Sequence, residues 1–261
     1  MSRAQILYIK KKKKQRILIR ILRLLLLILF FLLWETAARL SWIDSYIFSS
    51  PSRIVTCFIS MLSAGSILFH IGVTLTETLL SFLFVMLCSL FLATLLWRFP
   101  TAFQILEPSL VVLNSLPKSA LAPLLIVWLG TDLKTIVVTG MSVAIFGSVL
   151  SLCTDFQQTD AEKSKLITAL GGSRLDILRL VTLPSNLKNI LNLMKVNIGL
   201  CLVGVVIGEF ISSRRGLGYL IIYGSQVFRL DWVILSIFIL CLIAMGLYRL
   251  ISFFEQHFCR S

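Results

Sequence analysis

Charged residues, and acidic ones above all, are scarce in this sequence. Of its 261 residues 14% are charged and only 12 are Asp or Glu, whereas about 25% of the residues of soluble domains are charged. Hydrophobic residues make up 57%, which leaves too few polar side chains to cover a water-facing surface and excludes a soluble globular enzyme. Because a helix crosses the hydrocarbon layer with roughly 20 apolar residues, the sequence predicts several membrane spans joined by short connections.

Residues that commonly build disulfides and metal sites are also sparse. The six cysteines occur singly with no CxxC pair, and neither His70 nor His257 lies near a cluster of cysteines or acids. We therefore expect no disulfide framework and no metal site. The sequence also lacks a GxxxxGK[ST] phosphate-binding loop, so we expect no nucleotide hydrolysis by this chain.

Six apolar windows are long enough to cross a bilayer, which predicts an all-α, polytopic membrane protein with about six transmembrane helices. The third window contains Pro108, Pro117 and Pro123 as well as Lys118. Proline at membrane depth needs protein or water to satisfy the freed backbone groups, so we expect this window to be kinked or partly re-entrant and not to face lipid. The windows are residues 17–38, 68–97, 105–129, 134–153, 193–212 and 231–251.

The first window follows a basic segment and superficially resembles a signal peptide. It is longer than the apolar region of such peptides and has no small-residue cleavage pattern, so we interpret it as a retained helix. With a cytoplasmic N-terminus, 17 of the 25 lysines and arginines lie in or beside the inner segments, six lie outside, and Lys118 and Lys195 lie within spans. The positive-inside rule then predicts that both termini are cytoplasmic. We interpret the run Lys10–Lys14 as a topology anchor that contacts anionic membrane lipid, not as a nucleic-acid site.

Residues 154–192, between the fourth and fifth windows, form a connection that is long enough to favour a functional role. Thr159 and Glu162 have the spacing of a capping box, which predicts a helix that begins there and runs to Leu170. Gly171 and Gly172 follow, and glycine ends helices by adopting a left-handed conformation.

A second helix is predicted in this segment by Ser173 and Asp176, which repeat the capping-box spacing. Pro184 should end it. Both helices have an apolar side and a basic side. Such a pair suits docking into a groove on a partner, but basic amphipathic helices also lie on membrane surfaces. The pattern alone leaves both interpretations open.

The same segment resembles the EAA loop of ABC importer permeases, in which a glycine is followed after nine residues by Ile-x-Leu-Pro. Here Gly171 precedes Val181–Pro184 at that spacing. Residues 48–250 resemble the family in the right order, with similarity to its members that handle sulfonates, taurine, nitrate and thiamine-precursor pyrimidines. The segments that carry the resemblance are Ser50–Ser52, His70–Leu75, Leu116–Leu124, Trp128–Gly130, Gly208–Phe210 and Gly216–Ile221.

The sequence departs from the family pattern at several positions. The Glu-Ala-Ala of the loop is replaced by Lys165–Ile167, so a partner contact that depends on the glutamate does not carry over. In the second span, Glu77 and Ser81 stand where the family usually has arginine and glycine, and Lys195 replaces an arginine of the fifth span.

The resemblance implies the transmembrane permease subunit of an ATP-driven importer. Such a subunit moves a small solute, here a sulfonate, nitrate or thiamine-precursor-like molecule, into the cell by alternating access. It works as a homodimer or with a second permease, with two cytoplasmic ABC ATPase subunits that hold ATP and Mg, and with an external substrate-binding protein. The chain itself is then not an enzyme and holds no cofactor.

The resemblance also divides the chain and assigns roles within it. Residues 1–66 would form the basic N-terminus, the first span and an external segment. Residues 67–255 would form the ABC type-1 transmembrane domain, with the coupling loop at 154–192. The residues implied in coupling to the ATPase are Thr159, Glu162, Lys165, Leu166, Ala169, Leu170, Gly171, Ser173, Leu183 and Pro184.

Four ionisable residues, Glu77, Lys118, Lys195 and Glu209, lie within or at the edges of apolar spans. A charge at the centre of a membrane helix costs roughly 2.5 to 3.5 kcal/mol on insertion scales. They are candidates for the substrate path. The alternative is structural pairing, of Glu77 with Lys195 and of Glu209 with Arg214–Arg215.

Two further expectations concern packing and rival functions. Gly204 and Gly208 form a GxxxG pattern, which lets helices approach closely. We expect it to act within one subunit, and the alternative is a role in dimerisation. An ion-gradient-driven secondary transporter or a non-transporting scaffold would also suit the composition. A secondary transporter predicts inverted internal repeats, which the two halves of the sequence do not show. The identity of the solute stays open.

Overall fold

A computed structural model describes residues 3–258, and all the regular secondary structure in that range is helical. The side chains of residues 3–11, 16, 257 and 258 lie outside this description. Among the basic residues that predict orientation, this applies to Arg3, Lys10, Lys11 and Arg16, and to the whole of Arg260. The helices are α1 (Arg3–Arg39), α2 (Ser45–Phe48), α3 (Pro51–Ser63), α4 (Ser66–Arg98), α5 (Pro100–Ser115), α6 (Lys118–Leu129), α7 (Leu133–Gln157), α8 (Ala161–Ala169), α9 (Arg174–Ile177), α10 (Leu183–Ser185), α11 (Leu187–Ser212), α12 (Leu217–Gln226) and α13 (Leu230–Phe258).

Five of the described helices are long and apolar enough to cross a membrane, and the bent pair α5 and α6 counts as a sixth span if its two halves are taken together. The predicted all-α architecture with about six spans is therefore confirmed. The five continuous spans are Lys12–Arg39, Ser66–Arg98, Leu133–Gln157, Leu187–Ser212 and Leu230–Gln256.

The third predicted span is broken between α5 and α6, which meet at 95°. Leu116 has extended backbone angles, as expected for a residue whose helical conformation is disfavoured by the following Pro117. The helices continue through Pro108 and Pro123, so only one of the three prolines interrupts the span. The Lys118 ammonium bridges the break because it donates a hydrogen bond to the carbonyl of Leu113, one of the carbonyls that a helix leaves free at its end.

Three helices, α4, α7 and α11, form the centre of the subunit. At their closest approach, a Cβ atom added to Gly204 of α11 would lie 2.7 Å from the Cα of Gly140 in α7. A Cβ added to Gly140 would lie 2.5 Å from the hydroxyl of Ser81 in α4. Gly208 is the second glycine of the GxxxG pattern, and a Cβ atom added there would lie 3.1 Å from the Cα of Ile136 in α7. The pattern therefore packs helices within one subunit, as expected.

A second layer covers one end of this centre. Ile54 and Met61 of α3, Ile67 of α4, and buried residues of α12 and α13 form one hydrophobic cluster. α3 begins at Pro51, and its N-cap Ser50 accepts a hydrogen bond from the amide of Arg53 at 3.3 Å. The Arg53 guanidinium also pairs with Asp231 at 3.0 Å. This ion pair joins the segment between the first two spans to the start of α13.

The Gly204 contact generates a stability prediction. Gly204→Ala should lower the free energy of unfolding by about 1 to 3 kcal/mol, because the added methyl group has no space against α7. Gly199→Ala in the same helix is the matched control, since a Cβ at that position meets nothing within 4 Å. Alanine is the better helix former by up to about 1 kcal/mol, so the control should be neutral or stabilising. Thermal unfolding of the two purified variants in detergent measures the difference, and equal midpoints would contradict the packing described above.

Candidate functional site

The connection between α7 and α11 is a compact folded segment at residues 158–186, which we call the inner loop. The predicted bounds, 154–192, are too wide at both ends, because the first and last turns of that range belong to α7 and α11. At the base of the inner loop the Asn186 side chain donates hydrogen bonds to the hydroxyl of Thr159 and to the carbonyl of Thr182, both at 2.9 Å. The two ends of the loop are therefore tied together.

The first helix of the inner loop, α8, begins one residue later than predicted. Asp160 is its N-cap and accepts a hydrogen bond from the amide of Glu162 at 2.9 Å. The predicted capping box of Thr159 and Glu162 is thus wrong, because the Asp160 carboxylate caps the first turn while the Thr159 hydroxyl accepts from Asn186. Lys165 and Ala169 are exposed on this helix.

The end of α8 agrees with the prediction. Gly171 has a φ of +84°, in the left-handed region. The amide of Gly172 donates to the carbonyl of Ile167 at 2.9 Å, and that of Gly171 to the carbonyl of Thr168 at 3.0 Å. Helix carbonyls that would otherwise lack partners are satisfied in this way, so the chain turns sharply between α8 and α9.

The predicted capping box at Ser173 and Asp176 is present at the start of α9. The Asp176 carboxylate accepts hydrogen bonds from the Ser173 hydroxyl at 2.6 Å and from the Ser173 amide at 2.7 Å. In return the Ser173 hydroxyl accepts from the Asp176 amide at 3.3 Å. These hydrogen bonds hold the pKa of Asp176 below its ordinary value, because they favour the charged form of the carboxyl group.

Pro184 does not end the second helix, contrary to prediction. A wide π-helical turn at Leu178–Thr182 follows α9, and the Leu183 amide donates to the carbonyl of Leu178 across it. Proline has no N–H to donate and its ring clashes with the preceding turn of a regular α-helix, whereas a widened turn relieves that crowding. The chain therefore remains helical through Ser185, with Leu183 packed against the hydrophobic cluster of α4, α5 and α7.

The apolar residues of the inner loop divide into two sets. Leu178 and Val181 are buried within the subunit, so they fix the loop to the spans. Four other leucines are largely exposed: Leu166 at 60%, Leu170 at 76%, Leu175 at 60% and Leu180 at 64%. We call this second set the leucine patch. These leucines are the large apolar side chains of the loop that the fold itself leaves uncovered.

At the opposite end of α4 and α11 two carboxyl groups meet inside the protein. Glu209 is fully buried and Glu77 is 3% exposed. Glu209 accepts hydrogen bonds from the Thr74 hydroxyl at 2.6 Å and from the Gly218 amide at 2.5 Å. The Glu77 carboxyl lies within hydrogen-bonding distance of Glu209. The predicted pairing of Glu209 with Arg214–Arg215 is wrong, since no ion pair in the described part of the chain involves these residues.

Gly216 and Gly218 allow this arrangement. Gly216 has a φ of +95°, and a Cβ atom there would collide with the Glu209 carboxylate. The Glu209 carboxylate therefore packs directly against the turn that leads into α12 and accepts a hydrogen bond from its Gly218 amide.

Glu77 also faces a cavity. Its Oε2 atom has no hydrogen-bond partner among the described residues, and its side chain lines a cavity of about 890 Å³. The other walls come from the ends of α4, α7 and α11 that lie away from the inner loop. Asp132, Arg214 and Arg215 are exposed at its rim. Of the four predicted ionisable residues, only Glu77 lines this cavity.

Lys195 and Lys118 lie apart from the two carboxyl groups. Lys195 forms an ion pair with Glu255 of α13, so the predicted pairing of Glu77 with Lys195 is wrong. Fourteen residues of α11 separate Lys195 from Glu209, which is about 21 Å at 1.5 Å per residue. Because Glu209 lies next to Glu77, Lys195 is too far from Glu77 to pair with it. The Lys118 ammonium lies 5.0 Å from the centre of the Phe146 ring, at the break between α5 and α6.

Three residues of these sites were not predicted. Thr74 lies one turn before Glu77 on α4, a spacing that places both on one face, so the pattern contained a usable signal. Glu255 is 60 residues from its partner Lys195, and Asn186 is 27 residues from Thr159. No local pattern connects partners at such separations.

Comparisons with known proteins agree with this architecture. A family model described as "Binding-protein-dependent transport system inner membrane component" matches residues 85–258. A probable ABC transporter permease protein of Haemophilus influenzae is 29% identical over 88% of this chain and 93% of its own length. The riboflavin transport system permease protein of Chloroflexus aurantiacus is 27% identical over 86% of this chain and 84% of its own length.

A third relative and a solved structure extend these similarities. The taurine transport system permease protein of Escherichia coli is 24% identical over 81% of this chain and 79% of its own length. The fold is similar to an inward-facing structure of the MetNI methionine ABC transporter, with a TM-score of 0.60 and 18% identity over 73% of this chain and 93% of that chain. The chain therefore belongs to the family of binding-protein-dependent transport system inner membrane components, which are the permease subunits of ABC importers.

Proposed function

We propose that this chain is one half of the membrane passage of an ATP-driven importer in a bacterial cell membrane, with both termini in the cytoplasm. A second permease, either a copy of this chain or a relative, would complete the passage. Two separate ATPase subunits would bind and hydrolyse ATP with Mg, and an external binding protein would deliver the solute. The observation that carries this proposal is the leucine patch on the inner loop, because it offers these ATPase subunits a docking surface.

The inner loop is built to transmit movement. It is continuous with α7 and α11, two of the three central helices, and the Asn186 hydrogen bonds tie its ends together. The buried side chains of Leu178 and Val181 anchor the loop to the rest of the subunit. A pull on the leucine patch would therefore move α7 and α11 as a unit. An exposed cluster of large apolar side chains is typical of a protein-docking surface, and short helices with such a face fit grooves on partners.

The cavity above Glu77 is the part of the chain that we assign to the solute. Its rim arginines, Arg214 and Arg215, suit a solute with an anionic or strongly polar group, and the carboxyl of Glu77 at its wall suits a hydrogen-bond donor. A relative named for taurine transport supports the sulfonate part of the predicted sulfonate, nitrate or thiamine-precursor class. A relative named for riboflavin transport indicates that a larger organic solute is also compatible with this family. Glu209, Lys118 and Lys195 have partners within the chain, so we assign them structural roles.

Transport then requires alternation between two states of the paired permeases. ATP would draw the two inner loops together and open the passage outward, and hydrolysis would reset it. Solute and ATP can drive this cycle only if each binds one state more tightly than the other. The importer proposal therefore requires uptake to depend on ATP, whereas a secondary transporter requires an ion gradient.

The leucine patch generates a prediction about assembly. Leu170→Asp should reduce the amount of the ATPase subunit recovered with the purified permease by at least about tenfold, because docking would bury an unpaired carboxylate. Leu62→Asp, an exposed leucine of α3 at the other end of the subunit, is the matched control and should leave recovery unchanged. Normal ATPase recovery with Leu170→Asp would contradict the docking role and favour a loop that lies on the membrane.

The cavity generates a prediction about uptake. In proteoliposomes that contain the permease, its ATPase and its binding protein, Glu77→Gln should lower ATP-dependent uptake by up to about tenfold, the upper end of the scale of one lost hydrogen bond. Glu107→Gln on α5, an exposed glutamate outside the cavity, is the control. Unchanged uptake with Glu77→Gln would remove this residue from the path. Uptake that continues without ATP and follows an ion gradient would contradict the importer proposal itself.

The orientation generates a third prediction. In a variant whose six cysteines are replaced, a cysteine introduced at Leu62 should react with a membrane-impermeant maleimide in intact cells. A cysteine at Leu170 should react only after the membrane is permeabilised. The two positions are both exposed, so accessibility to water within the protein does not separate them. The reverse labelling pattern would show that the termini lie outside.

A further inference from the structure

A groove lies between the C-terminal end of α4 and the start of α9, on the side of the membrane where the inner loop emerges. Its volume is about 460 Å³, and its walls include Phe91, Leu95 and Trp97 of α4 and Leu175 of α9. Arg98 and Arg174 lie at its polar end. The groove is thus apolar along most of its length and positively charged where α4 ends.

The groove continues into an exposed ridge on α4. Four large apolar side chains of this span, spaced three or four residues apart, are 45% to 68% exposed, and side chains at that spacing share one face of a helix. The ridge therefore runs along one side of the second half of α4 and leads directly into the groove. Its members are Phe84, Leu87, Phe91 and Leu95.

The charges at the end of the ridge have no acidic partner. Within the described range, neither Arg98 nor Arg174 takes part in an ion pair, and both are exposed. The Arg174 guanidinium donates a hydrogen bond to the carbonyl of Arg98 at 3.5 Å, which brings the two residues together. The nearby Asp176 carboxylate accepts the two Ser173 hydrogen bonds of the capping box. Both arginines line the groove, and a guanidinium group offers a fork of N–H donors that matches the oxygens of a phosphate group.

We propose that this groove binds an anionic phospholipid of the inner leaflet. The lipid phosphate lies between Arg98 and Arg174, and one acyl chain follows the ridge of α4. Trp97 stands at the boundary of the apolar and polar walls, a position that tryptophan favours at membrane interfaces. Because Arg174 and Leu175 belong to the inner loop, the bound lipid links the loop to the end of α4.

The arrangement favours a lipid over a protein partner. The ridge lies on a membrane-spanning helix, so hydrocarbon chains are already its surroundings. The positive charge is confined to the end of the ridge, at the depth where lipid phosphates lie, whereas a protein partner would need to cover both regions. This inference does not depend on which solute the importer carries, and Leu175 belongs both to the groove and to the leucine patch.

The test is lipid retention by the purified complex of the permease and its ATPase. The complex is reconstituted in nanodiscs of phosphatidylcholine with phosphatidylglycerol, extracted in detergent and examined by native mass spectrometry. Wild-type complex should retain phosphatidylglycerol in preference to phosphatidylcholine. The double variant Arg98→Gln, Arg174→Gln should bind it about thirtyfold more weakly, on the scale of about fivefold for each basic residue near an anionic surface.

Two further variants distinguish the lipid groove from the rest of the inner loop and from the ATPase-docking surface. Arg179→Gln, an exposed arginine of the same loop that does not line the groove, should retain phosphatidylglycerol like the wild type. Arg98→Gln alone should weaken retention while ATPase recovery stays normal, because Arg98 lies outside the inner loop. Equal retention by the double variant and Arg179→Gln would overturn the proposal. So would crosslinking between cysteines at Phe91 of two permease copies, which would show that a second copy covers the groove.

Discussion

The close approach of α7 and α11 at Gly140 and Gly204 is the contact on which the rest of the subunit depends. Within a bilayer the helices gain little from excluding water, so association relies on packing, and small residues let two backbones come close. Ser81 of α4 completes the contact. This central packing sets the axial positions of the three helices, and those positions decide which polar side chains meet inside the protein.

The two candidate functional regions lie at opposite ends of these same helices. At one end Glu209 of α11 reaches Thr74 and Glu77 of α4, and its hydrogen bond to Gly218 holds the turn into α12. At the other end α7 and α11 lead into the inner loop, which is closed at its base by Asn186. A rigid helix carries a displacement along its length, so in the proposed cycle a movement of the loop would reach the cavity through α7 and α11. The proposed lipid site adds a third attachment, between the loop and the end of α4.

Much of the fold follows from local patterns. The span windows, the left-handed Gly171 and the capping box of Ser173 and Asp176 depend on residues a few positions apart, and each was predicted. Where several local solutions compete, the pattern was insufficient: Asp160 caps α8 in place of Thr159, and a π-helical turn carries the chain past Pro184. Three members of the leucine patch, Leu166, Leu170 and Leu175, were predicted only as part of wider apolar faces, and Leu180 was not predicted. The pattern could not separate exposed from buried positions, because burial of Leu178 and Val181 depends on packing against the spans.

The sequence by itself determined a multi-pass helical membrane protein with a folded inner loop, because hydropathy and helix-end signals act over one turn or one span. The tertiary structure alone decided the partners of the charged residues. Glu77 meets Glu209 and Lys195 meets Glu255, since these side chains lie at matching depths on neighbouring helices. The relative depth of two side chains depends on how far their helices are shifted along each other when they pack. A shift of a few residues would change which charged side chains meet, but the apolar windows in the sequence would stay the same.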